Sequence, residues 1–262
     1  MALGALIGIG APILLAWWLW KKYQVKPVTL IVGAAVFIVF ALVLETLMHQ
    51  IVLKGPHGPA IMGNIWYYAL YGGMAAGVFE ETGRFLAMKF LLRKEPSRAV
   101  TAVGYGVGHG GAEMLLIFGI TMISNIVLAV LINSGQAETL IASAPAETQE
   151  QVQAQFAQLQ AAGAGSWLSG IWERISALIL QISLSILVWT AVRRGGKWLW
   201  LFPAAILLHF LVDGSAVVLA KSASMLAVET ILFAMAVAVG AMGYMVAKKL
   251  PVDERQEEGI KQ

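Results

Sequence analysis

The sequence contains no cysteine and little charge. Only 13% of its 262 residues are charged and 59% are hydrophobic, whereas a soluble domain has roughly 25% charged and about 45–50% apolar residues. The missing cysteines exclude disulfide bonds, thiolate-bound metals, iron–sulfur centres and a thiol nucleophile. The scarcity of charge indicates an integral membrane protein, in which metal binding or acid–base chemistry has to rely on His, Asp and Glu side chains.

Long apolar runs predict an all-α, polytopic membrane protein of about seven transmembrane helices. A transmembrane helix needs about 20 mostly apolar residues. Two of the predicted spans, 62–92 and 99–133, exceed 30 residues and must tilt, project from the bilayer or break. The seven predicted spans are 2–20, 28–48, 62–92, 99–133, 169–192, 198–220 and 224–247.

The distribution of basic residues predicts the orientation, because short cytoplasmic loops are rich in Lys and Arg. In a seven-span alternation, 14 of the 18 fall on one side, which places the N-terminus outside the cell membrane and the C-terminus in the cytoplasm. The basic clusters lie between apolar runs, so we expect the lipid bilayer as a partner and no nucleic acid. The 14 are Lys21, Lys22, Lys26, Lys89, Arg93, Lys94, Arg98, Arg193, Arg194, Lys197, Lys248, Lys249, Arg255 and Lys261.

The domain organisation is predicted to be simple. Residues 1–250 form one transmembrane domain, and 251–262 form a charged cytoplasmic tail. One long polar connection, 134–167, is predicted to be external. Pro145 can begin a helix there, and its apolar residues recur at helical spacing. This helix is either a lid that guides substrate or a solvated connector.

Ionisable side chains inside spans are costly and by default mark function. Here they form three pairs spaced four residues apart, and residues four apart share a helix face. Each pair can therefore point into one common site. The pairs are Glu80 with Arg84, His109 with Glu113, and His209 with Asp213.

The depths of these residues predict that they meet. His109 lies 11 residues after Arg98, or roughly 16 Å into the membrane at 1.5 Å per residue. The corresponding depth is about 18 Å for His209 and about 14–20 Å for Glu80. We therefore expect one buried polar cavity, opening toward the cytoplasmic half.

Such a cluster suits more than one chemistry. Two His and a carboxylate form a common catalytic zinc set with an open position for water, and a nearby Glu can act as general base. Proton- or ion-coupled transport by a transporter or channel uses the same residue types. A third possibility is a non-catalytic scaffold whose buried polar pairs lock the helix packing.

The residues also resemble a family. Their order and spacing are similar to the three-motif pattern of the CAAX-protease and bacteriocin-processing (ABI) membrane peptidases, and most closely to its YhfC branch of intramembrane metalloproteases. This chain has an Asp where the broader family prefers Asn. The matching motifs are Glu80-Glu81-x-x-Arg84, Tyr105-x-x-x-His109 and His209-x-x-x-Asp213.

The resemblance implies a metal-dependent endopeptidase acting on membrane-associated peptides or proteins. Glu80 or Glu81 would be the general base, and His109 and His209 would hold a metal, zinc by expectation, or a water. Asp213 stands where the family has a residue that positions the water or the oxyanion. Glu113 lies one turn beyond His109 and is a further ligand or a group that orients the imidazole.

Helix geometry predicts the partner of Arg84 and two alternative roles for the glycines. Glu80 lies closer than Glu81 to the helix face of Arg84, so we expect the ion pair to be Glu80 with Arg84. The glycines around His109 either let helices pack closely or break the helix so that its backbone lines the cavity. Four charged residues near outer span ends are expected at the membrane interface: Glu45, Glu173, Arg174 and Glu229.

Overall fold

The described part of the chain, residues 1–250 of a computed structural model, consists of helices joined by short turns. The predicted tail, 251–262, lies outside the described residues. Three π-helical segments, Phe37–Glu45, Ala87–Leu91 and Met114–Gly119, and a 3₁₀ turn, Gly196–Trp200, occur between α-helices. The α-helices are α1 (Ala2–Tyr23), α2 (Pro27–Val36), α3 (Thr46–Leu53), α4 (Gly58–Gly63), α5 (Ile65–Leu86), α6 (Ala99–Glu113), α7 (Ile120–Asn133), α8 (Ala137–Ser143), α9 (Ala146–Ala161), α10 (Ala164–Arg194), α11 (Leu201–Ser222) and α12 (Met225–Ala247).

Six helical stretches within residues 1–250 are long and apolar enough to cross a membrane. The remaining predicted span is also a long helix, α5 continued by the π segment Ala87–Leu91, but its acidic and basic residues reduce its hydrophobicity. The prediction of an all-α polytopic membrane protein is therefore confirmed. The six are Ala2–Tyr23, Pro27–Leu53, Ala99–Asn133, Ala164–Arg194, Gly196–Ser222 and Met225–Ala247.

Both spans that were predicted to exceed 30 residues contain a π segment. Ala87–Leu91 follows α5, and Met114–Gly119 separates α6 from α7. A third π segment, Phe37–Glu45, interrupts the second span between α2 and α3. Such departures from α-helical winding often occur at functional sites. Here they adjoin the spans that carry the polar motifs.

Helix α10 is the centre of the bundle. In its most apolar stretch 72% of the residues are buried, against 17% to 22% in the other candidate spans. It packs against α5, α6, α11 and α12, while α5 pairs with α11 and α2 pairs with α6. Its buried hydroxyl groups bond to carbonyls of the preceding turn, as in Ser185 Oγ to Gln181 O at 2.7 Å. Polar side chains can therefore lie inside α10 at little cost.

Glycines allow α6 to approach two neighbours at once. A Cβ at Gly108 would lie 2.1 Å from Leu30 O of α2, and one at Gly106 would lie 2.6 Å from Ile182 Cα of α10. Helix α6 is continuous through both positions. The glycines thus serve close packing, and the alternative of a helix broken at His109 is not what the structure shows.

The polar connection 134–167 contains more helix than predicted. Pro145 is the N-cap of α9, as its position indicated, and a further short helix, α8, precedes it. Phe156 of α9 is buried, and α9 contacts both α7 and α8. The connection is therefore folded back on the end of α7.

Candidate active site

The double Glu of α5 joins the two histidines. Glu80 Oε2 lies 2.8 Å from His109 Nε2 of α6, and Glu81 Oε1 lies 2.9 Å from His209 Nδ1 of α11. On its other side, His209 Nε2 lies 3.5 Å from Asp213 Oδ2. Both imidazoles are buried. The three predicted motifs therefore meet inside the bundle, with one carboxylate at His109 and two at His209.

The partner of Arg84 differs from the prediction. Its Nη1 donates to Glu81 Oε1, not to Glu80, and its Nη2 donates to Gln181 Oε1. The expectation of a Glu80 pair was wrong because residues three apart on a helix are neighbours as much as residues four apart. Glu80 is instead directed toward α6. Arg84 therefore holds Glu81 and α10 together.

Gln181 of α10 belongs to the site and was missed in the sequence. Its Nε2 donates to Glu80 Oε2 at 2.9 Å and to Glu113 Oε2 at 3.1 Å, while its Oε1 accepts from Arg84. An amide carries no charge, so a search for ionisable residues passes over it. The signal available was a large polar residue in the middle of an apolar span.

Glu113 also has different partners from those predicted. It accepts from Arg174 Nη1 at 2.9 Å and from Gln181, and His109 turns to Glu80 instead. The side chain of Arg174 is only 13% exposed. A partly buried carboxylate on α6, that of Glu113, faces Arg174 across the helix contact, and the expected place of Arg174 at the membrane interface stays a prediction.

We call this set of connected side chains the polar cluster. It contains four carboxylates and two guanidinium groups, and one of the guanidinium groups, that of Arg174, also donates to the more exposed Glu173 outside the set. Carboxylates therefore outnumber guanidinium groups, and the two imidazoles or a bound cation can balance the excess negative charge. Uncompensated charge is costly in such a buried setting. The polar cluster comprises Glu80, Glu81, Arg84, His109, Glu113, Arg174, Gln181, His209 and Asp213.

Aromatic rings hold His109 in place. The ring of Tyr105 stacks on it with centroids 6.1 Å apart, and the ring of Phe37 meets it edge-on at 5.4 Å. His109 Nδ1 and the Tyr105 hydroxyl are buried without a hydrogen-bond partner. Because Tyr105 lies four residues before His109 on α6, its ring covers one face of the imidazole.

The donors of the polar cluster, as they are placed, do not form a complete zinc site. Catalytic zinc takes three protein ligands. Among residues 1–250, no group of three or more His, Asp and Glu side chains is arranged to hold a metal ion. Glu80 and His109 supply two adjacent donors, but the residues as placed do not complete a site. The ligand set of His109, His209 and Glu113 stays a prediction.

A cleft of about 260 Å³ reaches the polar cluster. Its polar lining includes Glu113, Arg174 and Asp213, and its apolar floor comes from α10, α11 and α12. Glu113, Arg174 and Asp213 lie on one side of the two histidines, and the Lys- and Arg-rich ends of the spans lie on the other side. On the basic side, the core closes over Met88 and Trp189. This cleft therefore reaches the polar cluster from the side away from the basic span ends, and the expected opening toward the cytoplasmic half stays a prediction.

The sequence was compared with known families and proteins. The family described as YhfC intramembrane metalloprotease matches residues 5–249. The chain belongs to this family. It is also 37% identical over 219 residues to the "uncharacterized membrane protein YhfC" of Bacillus subtilis strain 168, covering 83% of each chain. No solved structure matches the chain.

Membership in the YhfC family has two direct consequences. The chain is an integral membrane protein, in agreement with its helices and its relative. The family description names a metal-dependent protease, a class whose chemistry needs a base and a polarising group at one place. The polar cluster is where the described residues gather such groups.

Proposed function

We propose that the chain is an intramembrane endopeptidase that hydrolyses peptide bonds of membrane-associated peptides or proteins. The observation that carries this proposal is the buried contact of Glu80 with His109 beside a cleft that reaches Asp213. A carboxylate held by an imidazole can take a proton from water, which is the task of a general base. The family description supports the same reaction class.

Glu80 is the better candidate for the base. Glu81 is fully buried and is held by Arg84 and His209, whereas Glu80 is 7% exposed. Glu80 Oε2 is hydrogen-bonded to His109 Nε2 and to Gln181 Nε2. The other carboxylate oxygen of Glu80 is therefore left to bind a water. Glu81 then acts by holding His209 in one orientation.

The reaction follows from these roles. Glu80 takes a proton from water as the oxygen attacks the peptide carbonyl carbon, and the proton passes to the leaving nitrogen as the C–N bond breaks. The Nε2 side of His209, which faces Asp213, stabilises the negative charge on the carbonyl oxygen. The products are a carboxyl group and an amine.

The proposed reaction does not depend on a metal. The family description implies one, and zinc is the metal that His and carboxylate donors favour. Since the placed donors do not complete a site, we assign no step to it. Metal analysis of the purified protein and of His109→Ala decides the point. Stoichiometric zinc that the variant loses would show that the donors rearrange on binding.

The test of the function is hydrolysis by purified protein in proteoliposomes. The substrates are fluorogenic peptides containing a transmembrane segment. We expect Glu80→Gln to lower the rate by about 10²-fold or more, and the exposed Glu138→Gln to leave it unchanged. Ion flux without hydrolysis in the same proteoliposomes would replace the peptidase with the transporter.

We further propose that the protein lies in the cell membrane with its N-terminus outside and its C-terminus in the cytoplasm. The proposal rests on the basic residues of the loops. The cleft would then open toward the external half, and α8 and α9 would lie near the external surface. A substrate would reach the polar cluster from that side.

A further inference from the structure

A second and larger cavity lies between the N-terminal halves of α10 and α12, beside the cleft that reaches the polar cluster. Its volume is about 640 Å³. Large apolar side chains form its wall, among them Leu168 and Trp172 of α10 and Leu226 and Phe233 of α12. Leu168, Trp172 and Leu226 are 40% to 69% exposed, so the cavity opens toward the surface that lipid covers. We call it the apolar groove.

The wall of the apolar groove contains one carboxylate. Glu229, one turn inside the start of α12, is the one ionisable side chain among the described residues that line the groove. Its Oε2 is buried and has no hydrogen-bond partner within residues 1–250. A buried acceptor without a donor is costly. The position therefore favours an occupant that brings an N–H group to the carboxylate.

The apolar groove borders the cleft along the same two helices. On α10, Trp172 lines the groove and the next residue, Glu173, lines the cleft. On α12, Phe233 lines the groove and Ala236, one turn further along, lines the cleft. The rings of Trp172 and Phe233 meet edge-on at this border, with centroids 5.8 Å apart. A chain that lies in the groove can therefore reach the cleft and the polar cluster by passing these two rings.

The charge along this path is mainly of one sign. The linings of the groove and the cleft together contain four carboxylates and one guanidinium group, that of Arg174. This guanidinium group already donates to Glu113 and Glu173. A surface with such an excess of carboxylates attracts cations and repels anions. The occupant that fits both the apolar wall and the charge is an apolar chain that carries a positive group.

We propose that the apolar groove binds the outer part of the substrate and selects an apolar peptide segment with a Lys or Arg side chain that donates to Glu229. The inference rests on the proposed function. A basic side chain has an apolar stem and a charged end, which matches the wall and the carboxylate. A lipid acyl chain would fill the wall but brings no donor.

The helix geometry gives the approximate position of the basic residue. Ala236 is the residue of α12 that lies furthest along the helix in the cleft lining. It follows Glu229 by seven residues, which is about 10 Å along the helix axis. An extended peptide advances about 3.3 Å per residue. We therefore expect the basic residue about three positions from the cleaved bond.

The test uses fluorogenic transmembrane peptides in phosphatidylcholine proteoliposomes. Each peptide carries a single Lys at one position in the outer half of its apolar segment and has a matched peptide with Gln there. We expect the best Lys peptide to exceed its match about tenfold in kcat/KM, mainly through KM. Glu229→Gln, which keeps the shape of the side chain, should remove this preference, and Glu229→Lys should transfer it to a Glu peptide. The exposed Glu138→Gln should keep the preference for Lys.

A binding measurement separates this inference from the proposed function. Fluorescently labelled Lys and Gln peptides are titrated onto Glu80→Gln, which should bind the peptides without cleaving them. The Lys peptide should bind about tenfold more tightly, and adding Glu229→Gln should abolish the difference. Absence of hydrolysis in the wild type would remove the proposed function, and the titration would still decide on the groove.

Three results would overturn the proposal. Equal binding of the Lys and Gln peptides would show that the groove does not recognise the charge. A preference for Lys that survives Glu229→Gln would place the contact elsewhere. If neither peptide is preferred and both bind more weakly when phosphatidylethanolamine replaces phosphatidylcholine, the groove binds a lipid headgroup amine instead.

Discussion

The pairing of Arg84 with Glu81 gives a quantitative prediction. Both side chains are fully buried, and Arg84 also donates to Gln181. Replacing Arg84 with Met keeps most of the volume but strands the carboxylate of Glu81. Breaking a buried ion pair by removing one partner costs about 3–5 kcal/mol. We therefore expect Arg84→Met to lower the free energy of unfolding by an amount in this range.

A double-mutant cycle identifies the partner. In the variant that combines Arg84→Met with Glu81→Gln no charge is stranded, so its loss should be smaller than the sum of the single losses by about 1–3 kcal/mol. The matched cycle with Glu80→Gln should show a smaller coupling than the cycle with Glu81→Gln, because Glu80 is connected to Arg84 only through Gln181. Unfolding is followed by tryptophan fluorescence in mixed micelles. A larger coupling to Glu80 than to Glu81 would refute the pairing.

Three further predictions concern the topology, the packing and the amide of the site. A reporter fused after Gln160 should be external and one fused after Gln262 cytoplasmic, whereas the same side for both would mean a different number of spans. Gly108→Ala should clearly lower the melting temperature, because the new Cβ would meet the backbone oxygen of Leu30. Gly163→Ala should not lower it, because the space around Gly163 is open. Equal effects of the two substitutions would contradict the close approach of α2 to α6. Gln181→Met should lower the free energy of unfolding by about 1–3 kcal/mol, because it leaves buried polar groups unpaired, and it should lower the rate of hydrolysis. If neither the stability nor the rate changes, Gln181 does not belong to the site.

Local patterns explain why much of the architecture could be predicted. The length of an apolar run determines whether a helix can span the bilayer, so all seven long helical stretches could be placed from hydropathy. The i, i+4 spacing of His209 and Asp213 correctly indicated that they share a face, and the structure brings them to 3.5 Å. Pro145 indicated the start of α9 because proline favours the first positions of a helix.

Partner choice could not be predicted in the same way. His109 and Glu113 have the right spacing for a pair, yet each bonds to a residue of another helix. The rotation of α5 relative to α6 and α10 decides which carboxylate meets which imidazole. That rotation depends on the helix contacts, such as the approach of α5 to α11 at Gly77, where a Cβ would lie 2.7 Å from Ile206 O. Spacing along one helix contains no information about it.

The sequence by itself determined the membrane class, the spans and the residue types that gather at one depth, because these depend on hydrophobicity and on the rise per residue. The tertiary structure decided the rest. It assigned Arg84 to Glu81, brought Gln181 and Arg174 into the polar cluster, and buried Glu45. These outcomes depend on how helices face one another, since a buried polar group must find its partner on whichever helix packs against it.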